Sequence, residues 1–269
     1  MLGKRILSAV ILIPIVVAAV WLGGYWLWVL ATLAALLAGY ELYRLATSQE
    51  LHPNWFWGLV IVVSFLLHSP PINLRAAWLV VPIATLTTLA LEVRHHNRPG
   101  SLLSWALTIA GSLFIGFPFY AILNLRVLPQ GAYWIVVTMA ATWLGDTTAY
   151  FIGSRYGKTP FFKDISPHKT LEGAIAGGLT SLLVVVIPLV VFMQIPWYWA
   201  LAAGVGIAIG AIFGDLAESV IKRQLHRKDS GNLIPGHGGM LDRIDSLMYT
   251  VTVAYLVAHL VTHGIDYFM

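Results

Sequence analysis

The chain has no cysteine and few charged residues. Because none of its 269 residues is Cys, it can have no disulfide framework, no zinc site with thiolate ligands and no cysteine nucleophile. Only 10% of the residues are charged, whereas soluble domains carry about a quarter. Hydrophobic residues make up 58%, and the mean hydropathy is +0.79. This surplus is too large for one water-soluble core and predicts a membrane protein.

Long apolar runs recur along the chain and approach about 20 residues, the length at which a helix crosses a bilayer. They predict an all-α, polytopic integral membrane protein with about nine transmembrane helices. The predicted spans are residues 6–22, 25–45, 55–68, 76–92, 102–123, 132–152, 173–193, 197–221 and 244–263. By function, we expect residues 1–130 to form scaffold helices on the lipid side, with oligomer contacts. Residues 131–269 would form a catalytic membrane region with the loops 153–172 and 222–243.

The basic residues predict the orientation of these spans. Short loops rich in Lys and Arg stay on the cytoplasmic side of a membrane. With the N-terminus inside, the cytoplasmic segments hold fourteen of the 16 Lys and Arg, and only Arg75 and Arg126 lie elsewhere. We therefore expect a multi-pass protein of the cytoplasmic (inner) membrane, with a cytoplasmic N-terminus and its active site on the cytoplasmic side.

Small residues recur every four positions in the eighth predicted span. Gly206, Gly210 and Gly214 form a ridge along one helix face. Such ridges let a neighbouring helix approach closely, and they predict helix packing rather than a ligand contact.

Five carboxylates lie at a similar predicted depth, at the cytoplasmic ends of three spans. They are Asp146 in the sixth span, Asp215 and Glu218 in the eighth, and Asp242 and Asp245 at the start of the ninth. The members of each pair are three residues apart and share a helix face. Intramembrane carboxylates usually face a bundle interior, pair with a cation or mark a functional path. For any single Asp, pairing with a nearby Lys or Arg is an open alternative.

This oxygen-rich set suits Mg²⁺, which typically binds one or two carboxylates and completes its shell with water and phosphate oxygens. Basic residues of both loops would neutralise phosphate charge, and the glycines of residues 235–239 leave backbone N–H groups accessible. Carboxylates, a metal ion and a basic clamp are typical of phosphoryl or nucleotidyl transfer. Attraction to anionic lipid headgroups is an alternative role for the basic residues.

A long gapped pattern runs from Ser219 to Asp245. Its fixed positions are Ser219, Ile221, Lys222 and Arg223, then Lys228, Asp229 and Gly231, then Pro235, His237, Gly238 and Gly239, and finally Asp242, Arg243 and Asp245. This pattern resembles the signature of the phosphatidate cytidylyltransferases, also called CDP-diacylglycerol synthases. The likeness extends upstream to residues 214–219, 166–173 and 146–153, and it covers about the C-terminal half of the chain.

The resemblance implies an enzyme of phospholipid biosynthesis that converts CTP and phosphatidate to CDP-diacylglycerol and pyrophosphate. The lipid phosphate would attack the α-phosphorus of CTP in line, with Mg²⁺ as cofactor and room for a second cation. The implied partners are CTP, phosphatidate, membrane lipids and a second copy of the chain in a homodimer. No nucleic acid partner is expected.

The resemblance also implies roles for individual residues. The expected catalytic residues are Asp215, Asp242, Asp245, Lys222, Arg223 and Lys228. The expected metal ligands are Asp215, Asp242 and Asp245, with Asp146 and Glu218 in a second tier. The expected substrate-binding residues are Ser166, Lys169, Thr170, Glu172, Ser219, His237, Gly238, Gly239 and Arg243. His237 would either donate a hydrogen bond to a phosphate or brace the turn.

Two other functions fit part of the pattern. A CTP-dependent polyprenol or phytol kinase would transfer phosphate and release CDP instead of pyrophosphate. An ion-coupled transporter could also place carboxylates at one depth, but it predicts a site near the bilayer midplane. The charges of this chain lie instead at the predicted cytoplasmic boundary.

Overall fold

Helices form most of the part of the chain that the structure, a computed structural model, describes: residues 2–47, 51–95, 97–227, 230–231 and 238–264. In these ranges the α-helices are α1 Leu2–Leu22, α2 Gly24–Thr47, α3 Trp55–His68, α4 Val80–Glu92, α5 Ser101–Val127, α6 Gly131–Tyr156, α7 Leu171–Val191, α8 Trp197–Gln224 and α9 Leu241–His263. Short 3-10 helices, Arg75–Leu79 and Val93–His95, flank α4.

Seven helical segments of the described chain are long and apolar enough to cross a membrane. The apolar helices Val10–Leu22 and Trp55–His68 are shorter. Large apolar side chains remain exposed along the long helices, for example Leu86, Ile175 and Ile209. Lipid tails are as apolar as leucine, so a bilayer accepts such a surface where water would not. The predicted all-α, polytopic membrane class is confirmed.

The chain divides into two compact units. Unit 1 contains Met1–Leu123 and Lys222–Arg243, and unit 2 contains Asn124–Ile221 and Ile244–Met269. Unit 1 thus combines the N-terminal helices with the loop 222–243. This division rests on compactness, and the functional division into residues 1–130 and 131–269 stays a prediction.

In unit 1, α2 is fixed by a buried tyrosine. The Tyr43 hydroxyl donates to the Thr108 carbonyl at 2.8 Å and lies 2.9 Å from the Ser112 hydroxyl, both on α5. Gly58 of α3 lies against the Tyr43 ring, and a Cβ there would lie 2.3 Å from the phenol oxygen. Because a buried phenol needs a hydrogen-bond partner, this contact fixes the rotation of α2.

In unit 2, glycines bring α6 against α7. A Cβ added at Gly177 of α7 would lie 2.7 Å from the Gly145 carbonyl oxygen of α6. The Ser181 hydroxyl of α7 donates to the Ala141 carbonyl of α6 at 2.9 Å. The two backbones are therefore in direct contact.

The glycine ridge of α8 packs against α9, as the sequence predicts. A Cβ at Gly214 would lie 2.7 Å from the Ser246 Cα, and a Cβ at Gly210 would lie 3.5 Å from the Tyr249 carbonyl carbon. A Cβ at Gly206 would lie 2.7 Å from a Val253 methyl group. Larger side chains on this ridge would push the two helices apart.

Candidate active site

Three carboxylates from three helices of unit 2 are electrostatic neighbours. Asp215 on α8 and Asp245 on α9 both lie close enough to Asp146 on α6 for electrostatic repulsion between the carboxylates. Lys169, in the loop before α7, belongs to the same group and forms an ion pair with Asp215. We call Asp146, Asp215, Asp245 and Lys169 the acidic cluster.

Each carboxylate of the acidic cluster is next in sequence to a small residue at a helix contact. Gly145 precedes Asp146 and lies against Ser181 of α7. Gly214 precedes Asp215 and lies against Ser246, which follows Asp245. Small residues allow helix backbones to approach closely. The packing of unit 2 therefore determines how near the carboxylates lie to one another.

A short hairpin-like loop positions Lys169. The Phe161 N–H donates to the Lys169 carbonyl, and the Leu171 N–H donates to the Thr159 carbonyl, both at 2.9 Å. Pro160 and Thr170 form an isolated antiparallel bridge between them. These backbone hydrogen bonds fix the position of the Lys169 backbone. The side chain of Lys169 extends from there to Asp215.

Two predicted substrate residues hold this loop to α7. The Thr170 hydroxyl accepts from the Gly173 N–H at 3.3 Å and caps the N-terminus of α7. The Glu172 carboxylate accepts from the Thr159 N–H at 3.1 Å and from its hydroxyl at 2.9 Å. Direct contacts of Thr170, Glu172 or the partly buried Ser166 with a substrate stay predictions.

In unit 1, Asp242 accepts hydrogen bonds from several protein groups at the N-terminus of α9. Its Oδ1 lies 2.8 Å from the Lys222 Nζ, and the two side chains are only 9% and 14% exposed. Its Oδ2 accepts from the Ser230 hydroxyl at 2.8 Å and from the Gly239 N–H at 2.9 Å. We call Lys222, Ser230, Gly239 and Asp242 the anchor cluster.

Glu41 of α2 joins the anchor cluster, a contact that the sequence pattern does not predict. Its Oε2 accepts from the Leu241 N–H at 2.9 Å and lies 3.3 Å from the Ser230 hydroxyl. The side chain is 2% exposed. The sequence did contain a signal, since a lone Glu in an apolar span is costly and usually functional. Nothing local to α2, however, indicates its partners.

The remaining predicted residues differ in burial. Arg223 and Arg243 are exposed, Ser219 is half-buried, and Glu218 of α8 is fully buried. Gly238 has a φ of +82°, the left-handed region that favours glycine. Lys228 and His237 lie outside the described residues, so their predicted roles stay predictions.

The donor chemistry of the acidic cluster fits Mg²⁺. Among the described residues no group of three or more His, Asp or Glu is arranged as a ready metal site. Mg²⁺, however, commonly takes one or two carboxylates and obtains its other oxygens from water and substrate phosphate. Asp242 differs, because its oxygens already accept from Lys222, Ser230 and Gly239. Its role as a metal ligand stays a prediction.

An apolar groove of about 340 Å³ runs between α7 and α8 in unit 2. Its lining is entirely apolar and includes Leu171, Ile175, Leu179, Val205 and Ile209. Leu171 lies two residues after Lys169. The groove therefore begins close in sequence to the cation of the acidic cluster.

Comparison with known proteins shows the family. The model of the cytidylyltransferase family matches residues 3–261. The phosphatidate cytidylyltransferase of Bacillus subtilis is 30% identical over 266 residues, which cover 94% of this chain and 96% of that protein. The proteins of the same name from Staphylococcus haemolyticus and Brucella abortus are 32% and 34% identical. Those matches cover 92% and 95% of this chain, and 95% and 92% of the two proteins.

These matches confirm the resemblance drawn from the Ser219–Asp245 pattern, and they extend it to the N-terminal helices. The chain belongs to the cytidylyltransferase family.

Proposed function

We propose that this protein is a phosphatidate cytidylyltransferase, which transfers CMP from CTP to phosphatidate and releases pyrophosphate. The observation that carries the proposal is the acidic cluster, in which Asp215 of α8 and Asp245 of α9 lie near Asp146 of α6, and Lys169 pairs with Asp215. The names of the relatives and the Ser219–Asp245 pattern support the same substrates.

The proposed reaction needs no protein nucleophile. A phosphate oxygen of phosphatidate forms a bond to the α-phosphorus of CTP, while the bond from that phosphorus to the bridging oxygen breaks and pyrophosphate leaves. Because the attacking oxygen is already anionic, the step needs no strong general base. The main obstacle is the repulsion between two phosphate groups, which positive charge must offset.

Charged residues of the chain would carry out this task. In unit 2 the carboxylates of the acidic cluster would hold Mg²⁺, and Lys169 would contact a phosphate oxygen. When bound, Mg²⁺ supplies Lewis-acid polarisation of phosphate oxygens. In unit 1 the Lys222 ammonium, held by Asp242, and the exposed Arg223 would bind phosphate charge.

The lipid substrate requires an apolar path beside these charges. The groove between α7 and α8 has the chemistry of an acyl-chain site, because it is wholly apolar and starts beside the loop that carries Lys169. We assign it to an acyl chain of phosphatidate. The positive-inside rule, applied to the basic loops, supports a reaction on the cytoplasmic side of the inner membrane.

Two labelled substrates test the proposal. The protein, purified in detergent, is given phosphatidate, Mg²⁺ and CTP labelled at either the α- or the γ-phosphate. We expect α-label in the lipid and γ-label in pyrophosphate. γ-Label in the lipid would indicate a kinase, and no lipid label with either CTP would refute a CTP-dependent transfer.

Site variants then connect the activity to the acidic cluster. Asp215→Asn should remove most of the transfer, whereas Asp164→Asn, at an exposed position of the loop before α7, should leave it unchanged. Equal rates in the two variants would separate the activity from the acidic cluster.

A further inference from the structure

We infer that Glu41 is a positioning residue for the transfer reaction, and that Gly231 is a glycine because Glu41 occupies the space beside it. Glu41 lies in α2, outside the Ser219–Asp245 pattern and far from it in sequence. Its effect on catalysis rests on the proposed function, whereas its effect on the shape of the anchor cluster does not.

The first support is the contact of Glu41 with the N-terminus of α9. The opening N–H groups of a helix have no partner within the helix. The Leu241 N–H finds one in the Glu41 Oε2 at 2.9 Å, and Leu241 itself is fully buried. The partial positive charge of a helix N-terminus also favours a carboxylate. Glu41 thus caps α9, although it lies 200 positions before Leu241 in the sequence.

The second support is the Ser230 hydroxyl, which lies between two carboxylates. It is 2.8 Å from the Asp242 Oδ2 and 3.3 Å from the Glu41 Oε2. A hydroxyl has one proton to donate, and the shorter distance indicates that Asp242 receives it. Glu41 therefore lies beside the Ser230 hydroxyl, which donates to Asp242. Asp242 in turn forms an ion pair with Lys222.

The third support is the space around the other carboxylate oxygen. Glu41 Oε1 is buried and has no hydrogen-bond partner among the described residues. Among the described residues, the three atoms nearest to a Cβ at Gly231 all belong to Glu41, with Oε1 at 2.7 Å and Cδ at 3.1 Å. Gly231 does not have a positive φ, so its backbone would accept alanine. The nearest obstacle to a side chain at this position is therefore the Glu41 carboxylate.

Gly239 provides a matched contrast. A Cβ there would lie 2.5 Å from the Glu41 Oε2 but also 2.0 Å from the Ser230 hydroxyl. Removal of the Glu41 side chain would relieve the first clash and leave the second. The two glycines should consequently respond differently to the same change at position 41.

The test is a set of double variants in the full-length protein. Gly231→Ala and Glu41→Ala should each lower the melting temperature in detergent and reduce kcat/KM for CTP by about tenfold, as expected when a buried hydrogen-bonding group loses its partner. In the Glu41→Ala background, Gly231→Ala should cause no further loss, because the clash is gone. Gly239→Ala should remain harmful in that background. Gly58→Ala, which clashes with Tyr43, should also remain harmful.

A conservative variant separates positioning from the filling of space. Glu41→Gln keeps an acceptor for the Leu241 N–H and should recover most of the activity lost in Glu41→Ala. The loss in Glu41→Ala should appear mainly as a raised KM for CTP, since the displaced group is the proposed phosphate contact Lys222.

Each other outcome has a definite meaning. An equal loss from Gly231→Ala with and without Glu41 would overturn the inference. The melting temperatures could follow the predicted pattern while kcat and KM stay unchanged in every variant. That result would overturn the positioning role. Absence of CMP transfer in the wild-type protein would refute the proposed function, while the melting temperatures would still test the contact between Glu41 and Gly231.

Discussion

Asp242→Asn should remove the ion pair between Asp242 and Lys222 with little change in the shape of the side chain at position 242. The asparagine has one acceptor oxygen where the aspartate has two. Two donors to Oδ2 are the Gly239 backbone N–H and the Ser230 hydroxyl. The amide oxygen will therefore take the Oδ2 position, and the NH₂ group will face the Lys222 ammonium.

The magnitude follows from the bond that is lost. A hydrogen bond to a charged group contributes about 1.5–3 kcal/mol. Lys222 and Asp242 are 14% and 9% exposed, so solvent screens their contact only partly. We expect a loss of about 2 kcal/mol, which corresponds to about a 30-fold decrease in kcat/KM for CTP.

The assay is the initial rate of α-label transfer into phosphatidate, measured over a range of CTP concentrations. A double-mutant cycle with Lys222→Met isolates the pair, and its coupling energy should match the loss in the single variant. Asp164→Asn serves as the control. A change of less than about twofold in Asp242→Asn, or strict additivity with Lys222→Met, would refute the reasoning.

Four further predictions address other parts of the molecule. Thr170→Val removes the cap of α7 and should reduce the free energy of unfolding by about 1 kcal/mol, measured from the melting temperature. Asp215→Asn should raise the Mg²⁺ concentration for half-maximal rate by about tenfold or more, because a carboxylate donor is lost. Ile209→Trp fills the groove and should raise KM for phosphatidate but not for CTP. Because the chain has no cysteine, Lys163→Cys provides a single thiol, which a membrane-impermeant maleimide should reach only from the cytoplasmic side.

The helices could be predicted closely from hydropathy. The third span was predicted at residues 55–68, where α3 lies. The ninth was predicted to begin at residue 244, but α9 begins at Leu241. Hydropathy misses this first turn because it contains Asp242 and Arg243, and polar contacts of Asp242 with Gly239 and Ser230 stabilise it instead. The fourth span starts as a 3-10 helix at Arg75, a distinction that hydropathy does not make.

The candidate site was only partly predictable. The cost of a carboxylate in an apolar helix drew attention to Asp146, Asp215 and Asp245, and the structure places them as neighbours. Glu41 carries the same signal, but its partners lie 189 and 200 residues away. Local periodicity holds no information about contacts at that separation. The same limit applies to Gly231, whose need to be glycine is visible only once Glu41 is placed beside it.

The contact between Glu41 and Leu241 has a consequence for the order of events during synthesis. The ribosome makes α2 first, and the Leu241 N–H that donates to the Glu41 carboxylate is added 200 residues later. At about 5–20 residues per second this interval lasts about 10–40 s. Throughout it the newly made α2 carries a carboxylate whose final donor does not yet exist. Completion of α9 is thus the step that gives this carboxylate its backbone donor, whereas the contact of Tyr43 with α5 can form earlier.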